Sequence, residues 1–271
     1  MTNNTIKKQW NSNETFSGTA YYYARFRPNY SNEVFKYLTE TFLLNKNSNV
    51  LDLGCGTGQI ALEIAKNVKH VYAIDPQDDM LNEGKALAQE NNTNNITWKI
   101  GQDSDINNLI NKKIDLTTIG RAFHWMNREK VLEDLYSITN NGGGIAIIGD
   151  SKIKVGKMEW ENIRDEVIKK YLGEDRKAGK TGTYSHPTKL HEDIIKESKF
   201  KDIKIKTIDF TRVWTIDKII GYCYSTSFCS IPLLGNKKDD FEKDLKEELL
   251  KLNFNGKFND TGNFEVITAI K

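Results

Sequence analysis

Between residues 50 and 149, short apolar runs alternate with segments of helical periodicity. VLDL at 50–53, VYAID at 71–75, ITWKI at 96–100, IDLTTIG at 114–120 and IAIIG at 145–149 read as five strands. Ile60, Ile64, Ala65 and Val68 mark one face of an intervening helix. Met80, Gly84 and Leu87 mark a second, with Gly84 a weak point inside it. Val131, Leu132, Leu135 and Ile138 mark a third, which Asn127 can cap, and NNGGG reads as the turn into the fifth strand. Apolar runs this short suit strands buried on both faces. Their alternation with helices implies right-handed crossovers and a parallel, doubly wound α/β sheet.

The flanks follow another rhythm. The aromatic cluster YYYARFRPNY at 21–30 is broken by Pro28, and Ser31 then caps a predicted helix over 32–44. Beyond Asp150, Trp160, Ile163, Val167, Ile168 and Tyr171 mark a helix that stops near Gly173. The charged, glycine-containing segment 173–187 has the length of a lid or of a disordered loop. Residues 188–198 and 216–228 read as helices and 201–210 as a strand. Pro232 and Gly235 break the chain before a last helix marked by Phe241, Leu245, Leu249 and Leu252, and 263–271 is a terminal strand. The expected organisation is one domain over 1–271. It comprises an N-terminal helical cap at 1–44, a core at 45–150, and auxiliary helices with the last two strands at 151–271.

Composition narrows the function classes. In 271 residues, 38% hydrophobic and 10% aromatic content argues against a disordered chain. A formal net charge of +2 speaks against a strong nucleic-acid or membrane-surface partner. Cys55, Cys223 and Cys229 are too few and too scattered for a disulfide framework, and no zinc spacing is present, so no metal is expected. MTNNTIKKQW lacks the apolar region of a signal peptide, and no apolar run reaches the length of a bilayer span. The expected setting is soluble and cytoplasmic.

VLDLGCGTG carries the most chemistry. Gly54, Gly56 and Gly58 allow a tight turn and close backbone approach to a ligand, at a strand's carboxyl end and a helix start. Gln59 stands where the last glycine of a dinucleotide fingerprint would fall, which counts against a nicotinamide dehydrogenase. Asp75, at the end of the second strand, can accept both hydroxyls of a ribose, or can cap the next helix. Asp52 can hold the turn or meet an amino group of the ligand. His124 follows the fourth strand and is the candidate general base; its alternative is a packed corner with Trp125. Tyr222, Ser225 and Ser227 form a polar-aromatic cluster on an apolar helix, either facing an acceptor or packing as ordinary helix residues. Tyr21, Tyr22 and Tyr23 serve a pocket or the core of a cap, while His186 and His191 read as surface residues.

Five ordered segments resemble class I S-adenosylmethionine-dependent methyltransferases: VLDLGCGTG, VYAIDP, WKIGQDSDI, IDLTTIGRAFHWM and NGGGIAII. The YYYARFRPNY lead-in and AFHWM further resemble a small-molecule branch, the menaquinone/ubiquinone-biosynthesis and trans-aconitate methyltransferases. The resemblance implies a Rossmann-like sheet of seven strands, the last antiparallel, under a helical cap. It implies S-adenosyl-L-methionine as cofactor, with S-adenosyl-L-homocysteine as product, and a small-molecule acceptor methylated at oxygen, nitrogen or a carboxylate. Gly54, Cys55 and Gly56 would line the methionine moiety, with Asp52 and Gly58 completing the turn. Asp75 would hold the ribose, with Pro76 and Gln77 beside it, and one of Gln102, Asp103 and Ser104 would reach the adenine. Gly120, Arg121 and Ala122 would pass under the cofactor, and Tyr23 and Arg27 match the lead-in motif, Arg27 as partner of the cofactor carboxylate. Tyr21, Tyr22, Trp125, Tyr222 and Ser225 are assigned to the acceptor. The rival readings are an RNA or protein methyltransferase and a non-catalytic S-adenosylmethionine-binding protein.

Overall fold

The computed structural model describes residues 18–151, 157–174 and 189–271. Seven strands form one sheet: β1 (Asn49–Leu53), β2 (His70–Asp75), β3 (Ile96–Ile100), β4 (Ile114–Gly120), β5 (Thr139–Asp150), β6 (Lys201–Thr215) and β7 (Lys257–Ile270). Their spatial order is β3-β2-β1-β4-β5-β7-β6, parallel from β3 to β5, with β7 antiparallel to both of its neighbours. The expected seven-stranded sheet with an antiparallel last strand is therefore present. The winding reverses between β1 and β4, which opens a crevice at their carboxyl ends.

The helices are α1 (Ala20–Phe26), α2 (Asn32–Thr41), α3 (Gln59–Ala65), α4 (Asp78–Glu90), α5 (Ile106–Leu109), α6 (Arg128–Ile138), α7 (Glu159–Leu172), α8 (His191–Glu197), α9 (Ile216–Tyr224), α10 (Ile231–Leu234) and α11 (Lys238–Leu252). Alternation along each strand sends successive side chains to opposite layers. Val50, Val71, Ala146 and Ile148 pack under α2, α3 and α4, while Leu51, Leu53, Ile145 and Ile147 pack under α5, α6 and α8. Each fully buried Leu, Ile or Val contributes about 1.5–3 kcal/mol of apolar transfer energy. A third cluster joins Trp160 and Val167 of α7, Ile219 and Cys223 of α9, and Phe241, Leu245 and Leu249 of α11 into a cap.

Several local expectations are corrected. NNGGG lies within β5 and not in a turn before it. Asn140 donates to Asp115 Oδ1 at 2.6 Å, and Gly144 sits where a Cβ would lie 2.0 Å from the Ala269 carbonyl oxygen. Gly143 and Gly144 admit neighbouring backbone. Gly84 is likewise a packing position, since a Cβ there would lie 2.6 Å from the Trp98 ring. Ser31 occupies the cap position of α2 without a side-chain capping bond, and the helix ends at Thr41. Pro232 opens α10, where its missing N–H costs nothing. His191 is half-buried, 5.1 Å from the Phe123 ring and 3.2 Å from Arg128. Most of the segment 173–187, read as a lid, lies outside the described residues, as does His186.

The largest extension concerns β6 and β7. Their predicted bounds were 201–210 and 263–271, yet they pair from Lys201↔Ile270 to Thr215↔Lys257. β5 covers β7 only from Phe264 onward. Residues 209–215 and 257–263 therefore form a two-stranded ribbon beyond the sheet's carboxyl edge. The exposed side of the ribbon is polar, so it lacks the apolar run that marked the inner strands.

Candidate active site

Two cavities open at the carboxyl edge. The first, about 470 Å³, lies over the ends of β1, β2 and β4. Its floor is the glycine turn. Gly54, Gly56 and Gly58 have φ of 69°, 54° and 80°, the left-handed region that favours glycine. Gly54 and Cys55 N–H groups donate to the Ile74 carbonyl at 2.8 and 3.0 Å, which pins the turn to β2. A Cβ on Gly54 would lie 2.6 Å from the Ala122 Cβ, so only glycine lets β1 and the loop after β4 approach this closely.

Asp75 connects the turn to the cavity. Its Oδ2 accepts from Gly56 N–H at 2.8 Å and its Oδ1 from Gln77 N–H at 3.0 Å. Burial pushes its carboxyl up to about 6, against those two backbone bonds. Each carboxylate oxygen retains a lone pair, so the group can still accept from a ligand hydroxyl. Tyr23, Pro76, Gln77, Gly120, Arg121, Ala122 and Trp125 line the same cavity, as do Gln102, Asp103 and Ser104. Asp103 already accepts from Asn127 N–H at 2.9 Å, tying the loop after β3 to the start of α6. Leu53, Met80 and Met126 add apolar wall that the sequence did not single out.

Other assigned residues sit elsewhere. Asp52 lines neither cavity; it accepts from Ala61 N–H at 3.1 Å and Thr118 Oγ1 at 2.8 Å, fastening β1 to α3 and β4. Burial pushes its carboxyl up to about 7. Cys55 is buried, and burial raises its thiol well above the ordinary range, the opposite of a reactive thiolate. Gly58 admits the Trp98 ring, which a Cβ would meet at 2.3 Å. His124 lines neither cavity and packs with Trp125, ring centroids 4.7 Å apart. Tyr21 is exposed beneath Arg25, and Tyr22 packs edge-on against Tyr224 in the cap. Ser225 is fully buried and donates to the Tyr222 carbonyl at 2.6 Å.

The second cavity, about 430 Å³, is walled by α7, the β6–β7 ribbon and the lead-in. Arg27 and Tyr222 belong here. Sequence reasoning missed Trp160, Arg164, Arg212 and Trp214, which also line it. A signal was present: Trp160 and Arg164 are four residues apart on a helix, and Arg212 and Trp214 alternate onto one face of a strand. Asp260 Oδ2 accepts from both Arg212 Nε at 2.6 Å and Trp214 Nε1 at 2.9 Å, which orients both side chains. Arg121 lines both cavities. It has φ of 53°, stacks 4.7 Å from the Tyr30 ring and forms an ion pair with Asp150. Partial desolvation raises the Asp150 carboxyl, but the Arg121 guanidinium outweighs it and holds the group below the ordinary carboxylate range.

Comparison with known proteins gives the class. Residues 50–143 match the family described as methyltransferase domain. A Schizosaccharomyces pombe protein named as a methyltransferase is 27% identical over 152 residues, 56% of this chain and 57% of its own length. A Dictyostelium discoideum protein also named as a methyltransferase is 24% identical over 249 residues, 88% of this chain and 86% of its own. A solved structure described as a type II methyltransferase, from Anaeromyxobacter dehalogenans, superposes with a TM-score of 0.63 at 18% identity, over 90% of this chain and 98% of that one. Residues 50–143 thus match a methyltransferase domain, in a chain whose sheet has the Rossmann-like fold of that solved methyltransferase structure. No helix among the described residues is long and apolar enough to cross a membrane.

Proposed function

We propose that this chain transfers a methyl group from S-adenosylmethionine, held in the first cavity, to a small molecule held in the second. The observation that carries the reading is the Arg121 wall: two cavities of ligand size meet at one residue at the sheet's carboxyl edge. The residues of the first cavity suit the cofactor chemically. A glycine turn admits close backbone approach, the Asp75 carboxylate can accept from ribose hydroxyls, and Leu53, Met80 and Met126 offer apolar contact to a flat ring. Gln102, Asp103 and Ser104 stand together on the loop after β3, beside that apolar wall.

When bound, the cofactor supplies an electrophilic methyl group on a sulfonium centre. The protein's work is then alignment and exclusion of water. Arg121 and its Asp150 partner fix the boundary between the two ligands, and the cap helices α7, α9 and α11 close the acceptor side. The second cavity, about 430 Å³, has the size of a small ligand, which favours a small molecule over RNA or protein. A reducing, cytoplasmic setting belongs to this reading, supported by three cysteines that are buried and free.

Calorimetry with S-adenosylhomocysteine tests the cofactor half. Micromolar affinity, about −8 kcal/mol, is expected for the wild type and a large loss for Asp75→Ala. Labelled methyl transfer into a fractionated cell extract tests the acceptor half. Incorporation belongs in the low-mass fraction; incorporation into RNA or protein alone overturns the small-molecule reading.

A further inference from the structure

Four arginines line the second cavity, and three are neutralised by carboxylates. Arg121 pairs with Asp150 at 2.9 Å, Arg164 with Asp165 at 2.7 Å and Arg212 with Asp260 at 2.6 Å. Arg27 differs, with no ion-pair partner among the described residues. Its guanidinium lies 4.9 Å from the Tyr23 ring and 5.0 Å from the Tyr222 ring. Its Nη2 donates to the Ser225 carbonyl at 3.2 Å, while its Nε is buried with no acceptor.

A second orphan lines the same cavity. Trp160 is 4% exposed, and its indole Nε1 is buried with no acceptor. Guanidinium and indole N–H groups are donors only, and buried donors without acceptors cost stability. Native interiors rarely leave them so, and two on one cavity wall call for an external acceptor. The remaining carboxylates do not fill that need. Asp209 is exposed and accepts from Asn263 at 2.9 Å, and Glu161 accepts from Met158 N–H at 3.0 Å.

We propose that the acceptor is a small organic anion, with its carboxylate or phosphate oxygens set against Arg27 and the Trp160 N–H and its body packed against the edge-on Trp214–Tyr222 pair that lines the cavity. The inference rests on the reading that this cavity takes the acceptor. It also reassigns Arg27 from the cofactor carboxylate to the acceptor, because Arg27 lines the second cavity and not the first, whereas Tyr23, whose ring lies 4.9 Å from the guanidinium, lines the first. Arg27 carries a charge-assisted contact, and the aromatic walls carry the apolar contact.

The test uses the full chain saturated with S-adenosylhomocysteine and three probes: benzoate, phenyl phosphate and neutral benzamide. Calorimetry reads affinity, and tryptophan fluorescence reports occupancy beside Trp160 and Trp214. At least one anion is expected to bind at least about tenfold more tightly than benzamide, and the better of the two identifies the oxyanion. Arg27→Gln is expected to lower anion affinity at least about tenfold while leaving cofactor-product affinity within about twofold. Trp160→Phe keeps the ring and removes the donor; a loss of several-fold is expected, and it supplies a second arm should Arg27→Gln misfold. Equal binding of benzamide, or no binding of either anion, overturns the proposal. So does an Arg27→Gln variant that loses S-adenosylhomocysteine and keeps the anion. A wild type that fails to bind S-adenosylhomocysteine at all fails the cofactor reading instead, which the first titration separates.

Discussion

Arg121 grips Asp150 with two parallel hydrogen bonds, Nε to Oδ2 at 3.1 Å and Nη2 to Oδ1 at 2.9 Å, from a backbone held at φ 53°. The carboxylate is 58% exposed, so the pair adds only about 0–1 kcal/mol to stability. The left-handed backbone costs about 1–2 kcal/mol for a residue with a Cβ. Stability alone does not account for an arginine here; its position between the cavities does.

Arg121→Gly is therefore expected to shift stability by no more than about 1 kcal/mol, because relief of strain offsets the lost pair. Its S-adenosylhomocysteine affinity should fall several-fold as the shared wall opens. Thermal melting beside calorimetry checks both. A large drop in melting temperature would mean the ion pair is structural.

Asp52 makes stability depend on pH in an unusual direction. Its folded carboxyl, pushed up to about 7 by burial, lies above the unfolded value near 4. The folded state binds that proton more tightly, so the stabilising contribution is complete below about pH 4 and is lost as pH rises through 7. Asp75, pushed up to about 6 by burial, acts in the same sense. Urea unfolding of wild type and Asp52→Asn from pH 5 to 8 should show the wild type losing ground against the variant as pH rises. A difference that stays flat would place the Asp52 titration below this range.

Gly54 and Gly142 separate close approach from backbone strain. Both have positive φ, 69° and 80°, but a Cβ on Gly142 meets nothing within 4 Å. Gly142→Ala should cost about 1 kcal/mol of strain and leave S-adenosylhomocysteine binding intact. Gly54→Ala adds a contact at 2.6 Å and should cost a further 1–3 kcal/mol, on the order of an overpacked core, and abolish binding. Equal effects of the two substitutions would remove the steric argument.

Asp260→Asn tests the bond pair that orients the wall of the second cavity. The amide accepts less strongly than the carboxylate that now serves both Arg212 and Trp214. A loss of about 1.5–3 kcal/mol is expected by chemical denaturation, with altered tryptophan fluorescence from Trp214.

His124→Gln should leave S-adenosylhomocysteine affinity unchanged, since His124 lines neither cavity. A tenfold loss by calorimetry would show that the Phe123–Trp125 turn moves onto the ligand.

The core half of this protein was legible because its strands are buried on both faces. Val50 and Leu51, or Ala146 and Ile147, face opposite apolar layers, so each strand becomes an unbroken run. The glycine turn was legible because three glycines have a conformational reason to stand there. Asp52 was harder: a carboxylate beside such a turn suits a ligand or the turn, and only its bonds to Ala61 and Thr118 show which it meets here. The acceptor side was least legible. Trp160 and Arg164 look like any amphipathic helix, and the ribbon's alternating polar residues carry no run to mark its ends. Arg27 and Arg212 come together through chain segments far apart in sequence, which no local pattern records.

The ribbon also divides the chain's freedom to diverge. Next to it, residues 264–270 of β7 pair with β5 and are mostly buried, so a change there disturbs the core beside the first cavity. The ribbon itself, 209–215 with 257–263, borders the second cavity and the cap, and Phe210 also packs on Phe264 of the core. Under the proposed function, substitutions in that stretch would let a lineage explore new acceptors while the first cavity stays as inherited.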